Sequence, residues 1–239
     1  MTTGRTKHIT LTDRAYYTVR ERILRGILSP GTALSRRKLA EELGVSFLPI
    51  SEALQRLERD GLLESRPRAG TRVRTPTQDE VRGRYVVREA LEAESARLCC
   101  ERVTFRERLE LRRMAEQLDT LYARSSAGQA DSDFLYVVHQ FHANLHLQIA
   151  EYARCVELKE AIEKNQVLIY NWFYDITAER RSLPQGFHGK LIETLTGDDP
   201  EAAAKAMRAH VRYGIEDLLR AVEFHSKNND WRIKRSNDD

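Results

Sequence analysis

Four histidines in the second half of the chain have a spacing that suits a metal ion. His142 and His146 are four residues apart within a helical pattern, so their side chains share one face. His188 precedes the turn at residues 197–200 by nine residues, and His210 follows it by ten. Two antiparallel helices that meet at this turn place both side chains about 14 Å from it. The two pairs can therefore meet at one interior point, and we predict a divalent metal site there. The alternative is a group of ordinary core histidines.

The N-terminal third of the chain is the other candidate for chemistry, because its charge differs from the rest. Residues 1–77 carry 15 Lys and Arg against 8 Asp and Glu, a net charge of +7. The remaining residues carry 24 against 28, a net charge of −4, within a chain whose total is +3. A basic segment ahead of a mildly acidic one is typical of a polyanion-binding domain. The alternative is that the surplus charge belongs to solvated surface.

The elements of this basic segment predict a helix-turn-helix. Thr12 or Asp13 can cap a first helix. Ser35 can cap a short second helix that Gly44 ends, and Ser46 is a good N-cap for a third. The inward-facing apolar positions of this third helix are Ile50, Ala53, Leu54 and Leu57.

Two short alternating runs, 63–66 and 71–74, follow the third helix and are joined by a Pro-Arg-Ala-Gly turn, which predicts a β-hairpin. Three helices and a hairpin make a winged helix-turn-helix domain over residues 1–76. In such a domain the third helix enters the major groove with its N-terminal residues. The predicted DNA contacts are Arg36, Arg37, Ser46, Phe47, Leu48, Ser51, Gln55, Arg68, Gly70 and Arg72.

The sequence after residue 77 is helical in pattern and shows no strand signal. Capping boxes at Thr77–Glu80 and Thr104–Glu107 and the pair Asp199-Pro200 mark helix starts. The prediction is a mainly α protein, with an antiparallel all-helical bundle of about six helices over residues 77–226 and a polar tail over 227–239. The predicted helices cover residues 78–98, 104–122, 133–153, 156–176, 186–196 and 200–224.

Cysteine usage and hydropathy restrict the compartment. Cys99 and Cys100 are adjacent and Cys155 is the third, so the chain has no disulfide framework and a reduced, cytoplasmic location is expected. No apolar run reaches the 18 residues of a spanning helix, and residues 1–11 are polar. We therefore expect neither a secretory signal nor a membrane partner.

The first domain resembles the DNA-binding domain of the GntR family of bacterial regulators. The motifs that carry the resemblance lie within residues 13–74 and include Leu39-Ala40-Glu41-Glu42-Leu43-Gly44-Val45-Ser46 and Glu52-Ala53-Leu54-Gln55-Arg56-Leu57. The resemblance implies a double-stranded DNA operator as partner. Members usually have an arginine after the capping residue and a second one four residues later, whereas this chain has Phe47 and Ser51. Arg37 matches another contact position of the family. Phe47 or Leu48 can pack on a thymine methyl, and Ser51 and Gln55 can hydrogen-bond to base edges.

The second half resembles the FCD effector-binding domain of the FadR branch of the same family, over residues 80–224. The matching motifs are Arg88-Glu89-Ala90-Leu91-Glu92, Phe141-His142, His188-Gly189-Lys190-Leu191-Ile192 and His210. Many members bind a divalent metal through one aspartate and three histidines, with the aspartate four residues before the first histidine. That position holds Val138 or, if His146 is the family histidine, His142. His146 or His139 must then supply the fourth ligand. An imidazole in place of a carboxylate shifts the metal preference towards Zn or Ni.

These features together predict a one-component transcriptional regulator, a repressor that binds a palindromic operator as a homodimer. A small carboxylate effector that reaches the metal changes the spacing of the two recognition helices. Arg88 can pair with that carboxylate or form a salt bridge with Glu92. One alternative is a metal sensor, in which the ion itself is the signal. The other is a metal-dependent enzyme with a DNA-targeting head, although the sequence has no HExxH motif and no Gly-rich phosphate loop.

Overall fold

The computed structural model describes residues 9–126, 132–174 and 183–228. The chain forms two compact units, Met1–Thr75 and Pro76–Asp239, and the boundary lies one residue before its predicted position. The polar tail predicted at 227–239 falls almost entirely outside the described residues. Within the described ranges, no helix combines the length and the apolar character needed to cross a membrane.

The first unit contains the three predicted helices. These are α1 (Leu11–Leu24), α2 (Arg36–Leu43) and α3 (Phe47–Arg59). The cap predicted for α1 at Thr12 or Asp13 is wrong, because Thr10 is the N-cap and its hydroxyl accepts the backbone N–H of Asp13. Ser35 caps α2 as predicted, and Gly44 ends it in the left-handed conformation that a residue without Cβ adopts readily. The core of this unit includes the predicted inward residues of α3, namely Ile50, Ala53, Leu54 and Leu57.

A small antiparallel sheet completes the first unit. The predicted hairpin is present as β2 (Leu63–Arg66) and β3 (Gly70–Val73), with Ser65 opposite Thr71. A third strand, β1 (Ala33–Leu34), pairs with the other edge of β3, so the strand order is β1-β3-β2. Two residues are too few to produce an alternating pattern, which is why the sequence did not predict β1.

The second unit is a helical bundle. Its described helices are α4 (Gln78–Arg102), α5 (Phe105–Ser126), α6 (Ser132–Tyr152), α7 (Val156–Tyr174), α8 (Phe187–Leu195), α9 (Pro200–Tyr213) and α10 (Ile215–Asn228). Helix α4 packs against α6, α7 and α10, and most extensively against α9. Small side chains of both helices, such as Ala96 on α4 and Ala203 on α9, are fully buried in the core of the bundle.

The helix starts follow the predicted caps, but the last helix does not follow the prediction. Thr77 and Glu80 form a capping box at α4, and the Thr104 backbone N–H donates to Glu107 at α5. The single helix predicted over 200–224 is wrong, because the chain leaves the helix at Gly214 and resumes it at Ile215. Glycine has a low helix propensity, so the break falls where interrupting the helix costs least.

The Asp199 cap provides a test of how α9 begins. The Asp199 carboxylate accepts the backbone N–H groups of Glu201 and Ala202. Asp199→Ala is therefore expected to lower the free energy of unfolding by about 1 kcal/mol, measured by urea unfolding. Asp198→Ala removes the same charge from the exposed neighbouring residue and should cost less than about 0.5 kcal/mol. Equal losses for the two variants would contradict the cap.

Candidate functional site

Three histidines of the bundle bring one nitrogen each to a common point. His142 and His146 project from α6, and His210 projects from α9. The Nε2 atoms of His142 and His146 lie 2.9 Å apart, and each lies 3.2 Å from Nε2 of His210. His146 and His210 are buried, and His142 is partly buried. Of the four histidines predicted as ligands, these three form the group in which all ligand atoms lie within 4.8 Å of one another.

Hydrogen bonds among the three rings cannot satisfy all three Nε2 atoms. Each pair of Nε2 atoms is within hydrogen-bond distance. Two N–H groups that both pointed into the triangle of nitrogens would repel each other, so at most one Nε2 can carry a proton there. At least two lone pairs therefore face the centre. Buried acceptors without a donor carry a desolvation cost, which a cation at the centre would remove.

A buried ion pair orients His146 from behind. Oε2 of Glu92 lies 2.5 Å from Nδ1 of His146, and the other oxygen of Glu92 accepts from Nε of Arg88 at 2.8 Å. A carboxylate at Nδ1 holds a proton on that nitrogen, so the lone pair of the ring resides on Nε2 and faces the other histidines. Burial opposes the charge on Glu92, but Arg88 and His146 outweigh it and lower the pKa of Glu92 to about 2.

His188 lies beside this group and is oriented in the same way. Its Nδ1 is 2.7 Å from Oδ1 of Asp119, and Asp119 also accepts the backbone N–H groups of His188 and Gly189. The ring centroid of His188 is 4.8 Å from that of His142 and 5.3 Å from that of His210. Its buried Nε2 has no hydrogen-bond partner among the described residues. His188 thus presents a free lone pair next to the three convergent nitrogens.

Tyr122 connects the two parts of the cluster. Its hydroxyl oxygen lies 3.0 Å from Nδ1 of His142, and its ring stacks on His188 with a centroid distance of 5.2 Å. Neither Tyr122 nor Asp119 was identified from the sequence. Asp119 is 69 residues from His188 along the chain, so no local spacing relates them. The Arg88–Glu92 pair did have a signal, because the two residues are four apart on one helix.

The electrostatics of the cluster favour neutral imidazoles. Burial, followed by the neighbouring histidines, moves the pKa of His142 and that of His210 well below the ordinary value. Burial also lowers the pKa of His188, although Asp119 opposes part of this effect. Because a neutral imidazole is the form that coordinates a metal, the cluster is ready to bind a cation near neutral pH.

Other predicted residues of the second unit lie at different distances from this centre. Val138, one of the two positions that the resemblance gives for the family aspartate, is buried and offers no ligand atom. His139 is buried too but is not in the convergent group. Of the two roles considered for Arg88, the structure shows the salt bridge with Glu92, with 9% of the arginine exposed. Its role in effector binding stays a prediction.

Most of the predicted DNA contacts lie on the surface of the first unit. Phe47 and Leu48 are 59% and 64% exposed at the start of α3. The side chain of Arg37 is 87% exposed on α2. At the wing, Arg68 occupies the turn between β2 and β3 with φ +64°. The other exposed members of the predicted set are Ser46, Gln55 and Gly70.

Three predicted contacts are engaged or covered within the unit. Arg36 donates to the Thr71 hydroxyl at 3.0 Å, and Arg72 is partly buried. The outward placement predicted for Ser51 is wrong, because its hydroxyl oxygen is buried and has no hydrogen-bond partner among the described residues. Ser51 lies at the edge of the inner face that includes Ile50 and Leu54, and the rotation of α3 about its own axis decides whether a residue at this edge is covered.

The buried ion pair behind His146 gives a stability prediction. Glu92→Gln removes the carboxylate that forms the buried ion pair with Arg88, so we expect the metal-free protein to lose about 3 kcal/mol of unfolding free energy in urea. Glu89→Gln is the control on the same helix. Its carboxylate pairs with Arg212, whose side chain is 67% exposed, so a much smaller loss is expected. Similar losses would show that burial of the Glu92 pair is not decisive.

Known proteins resemble this chain over most of its length. The uncharacterized HTH-type transcriptional regulator YdhC of Bacillus subtilis is 26% identical over 217 residues, covering 89% of this chain and 93% of the relative. The HTH-type transcriptional repressor RspR of Escherichia coli is 25% identical over 223 residues, covering 92% of each. Among solved structures, E. coli McbR/YncC shares the fold with a TM-score of 0.71 at 22% identity, covering 89% of this chain and 98% of that one.

Two family profiles account for both units. The profile described as "Bacterial regulatory proteins, gntR family" matches residues 11–73, and the FCD domain matches residues 84–213. The first match coincides with the winged helix-turn-helix, and the second contains the histidine cluster. The mostly helical fold and both resemblances inferred from the sequence are thus confirmed. The chain belongs to the GntR family of transcriptional regulators and carries an FCD domain.

Proposed function

We propose that this regulator is a ligand-responsive repressor that binds a palindromic operator as a homodimer, holds a divalent transition metal in its helical unit and responds to a small organic acid. The observation that carries the proposal is the convergence of the Nε2 atoms of His142, His146 and His210. The relative RspR is named a repressor, which supports the direction of regulation.

The donor set supports a transition metal. Zinc binds imidazole nitrogens at about 2.0–2.1 Å, so three such nitrogens on one ion lie about 2.9–3.4 Å apart for angles between 90° and tetrahedral. The observed separations of 2.9 and 3.2 Å fit this range. His188 is the candidate for a fourth ligand. Because imidazoles are the donors and Val138 replaces a carboxylate, Zn or Ni fits this set better than Mn or Mg.

The charge of the site supports an anionic effector. Burial lowers the pKa values of His142, His188 and His210, which favours their neutral forms. Arg88 and Glu92 neutralise each other as an ion pair, and Asp119 contributes one negative charge. A bound divalent ion outweighs this charge and leaves a largely buried site net positive, and as a Lewis acid it attracts a carboxylate oxygen. Glu92 contacts both Arg88 and His146. We propose that Arg88 adds to this attraction for a small organic acid.

The coupling between the effector and DNA follows from dimer symmetry. A two-fold dimer fixes the distance between two recognition helices, so only some arrangements fit successive half-sites of an operator. An effector that binds one arrangement more tightly shifts the population towards it. The helical unit is proposed to supply both the dimer contact and this differential affinity.

Metal binding is tested with a matched pair of histidine variants on α6. His142→Ala removes one of the three convergent nitrogens and is expected to weaken Zn²⁺ binding by at least about tenfold. His139→Ala removes a buried histidine of the same helix outside the convergent group and should leave the affinity unchanged. Calorimetric titration of metal-stripped protein and elemental analysis after dialysis provide the measurements. Equal metal content in both variants would refute this ligand set.

The same cluster supports a second candidate function, in which the ion is the signal. The ligand atoms come from two helices, α6 and α9, so binding of the ion can change how these helices pack. Adding Zn²⁺ to the stripped protein on its operator, without any organic acid, separates the two. A change in DNA affinity favours sensing, whereas a change only after acid is added favours the effector-anchoring ion.

DNA binding is tested through its dependence on salt. Arg37 is exposed on α2 and is expected to neutralise one phosphate, so Arg37→Ala should reduce the slope of log K against log salt by about 1. Arg106→Ala, an exposed arginine of the helical unit, is the control and should leave the slope unchanged. Fluorescence anisotropy with a duplex from the region upstream of the gene measures both. A wild-type slope in Arg37→Ala would exclude this contact.

A further inference from the structure

The leading turn of α3 exposes two large apolar side chains next to each other. Phe47 and Leu48 occupy its first two positions and are 59% and 64% exposed, whereas Ile50 and Leu54 on the inner face are almost completely buried. Adjacent exposed apolar side chains on a well-packed helix commonly mark a binding surface. Here they lie where a recognition helix meets base edges.

The polar groups of this turn contribute little to base recognition. The Ser51 hydroxyl is buried, and Pro49 has no polar side-chain atom. The Glu52 carboxylate accepts a hydrogen bond from Thr12 at 2.8 Å, and its negative charge does not suit a groove lined by phosphates. Guanine is usually read by arginine or lysine, and residues 46–52 contain neither. Phe47 and Leu48 therefore share the surface of this turn with the exposed Ser46 and Glu52.

The net charge of the first domain favours duplex DNA as the partner of this surface. Phe47 and Arg37 line the same shallow surface cavity of about 560 Å³, together with Ala40, Glu41, Gly44 and Val45, and Glu41 pairs with Arg37 at 3.0 Å. An exposed guanidinium beside an exposed aromatic ring fits a phosphate next to a base edge better than it fits an apolar protein surface. The net charge of +7 over residues 1–77 adds to this preference.

We propose that Phe47 and Leu48 read the 5-methyl groups of thymine in the major groove, so that this regulator selects operator half-sites by apolar contact. The proposal rests on the proposed operator binding. Thymine is the base that presents a methyl group in the major groove, and its removal leaves the hydrogen-bonding atoms of the base unchanged. Each buried methyl is expected to contribute a factor of about four to the affinity.

The experiment substitutes deoxyuridine for thymidine. The full-length protein first selects its preferred duplexes from a random 20-base-pair library. The tightest duplex is then resynthesised with deoxyuridine at one thymidine position at a time, and dissociation constants are measured by anisotropy at fixed salt. We expect one or two positions in each half-site at which the loss of a methyl weakens wild-type binding about fourfold.

Variants assign the effect to the two side chains. In the double variant Phe47→Ala/Leu48→Ala the sensitivity to deoxyuridine should disappear at those positions. Ile27→Ala, which truncates another exposed apolar residue of the same unit, should retain it. All three residues are largely exposed, so the variants are expected to fold, which circular dichroism spectra will test.

The outcomes separate the inference from the function on which it rests. A preferred duplex whose affinity is unaffected by deoxyuridine at every position overturns methyl reading and leaves operator binding intact. Sensitivity that persists in the double variant also overturns it. If no duplex is preferred over random DNA, operator binding and the methyl-reading inference both fail.

Discussion

The buried carboxylate of Glu92 is the interaction on which the helical unit depends. A charge with 2% of its residue exposed is tolerated only when other groups replace the water it has lost. Arg88 provides the counter-charge from the same helix, and His146 provides a contact from α6. These partners hold α4 and α6 in one relative position, and they fix which nitrogen of His146 carries the proton. The direction of its lone pair follows from that choice.

Asp119 orients His188 in the same way that Glu92 orients His146. It holds His188 through the ring and two backbone N–H groups, and so ties α5 to the start of α8. Carboxylates thus lie behind the rings of His146 and His188, and the opposite ring nitrogens of both histidines face the cluster. The packing of α9 on α4 brings His210 to the histidines of α6.

The DNA-binding unit divides its basic side chains between structure and surface. Arg56 pairs with Asp13 and lies over the ring of Tyr16 at 3.9 Å, and Arg36 binds Thr71 of the wing. These arginines hold the unit together. A count of basic residues along the chain therefore overstates the number of side chains that are available to bind phosphates. Arg37 and Arg68 are exposed, although Arg37 also pairs with Glu41, and the start of α3 exposes Phe47 and Leu48.

Much of this protein was determined by the sequence alone, because many of its signals are short-range. A capping bond spans two or three residues, so Ser35, Thr77 and Asp199 revealed where α2, α4 and α9 begin. Helical spacing likewise put His142 and His146 on one face. Tertiary packing decided the rest. It rotated α3 so that the Ser51 hydroxyl is buried, and it brought Asp119 to His188 across 69 residues. It also set His188 beside the three convergent nitrogens. The periodicity of a sequence shows which residues share one face of a helix. The direction in which that face points, and the element it packs against, depend on contacts with distant parts of the chain.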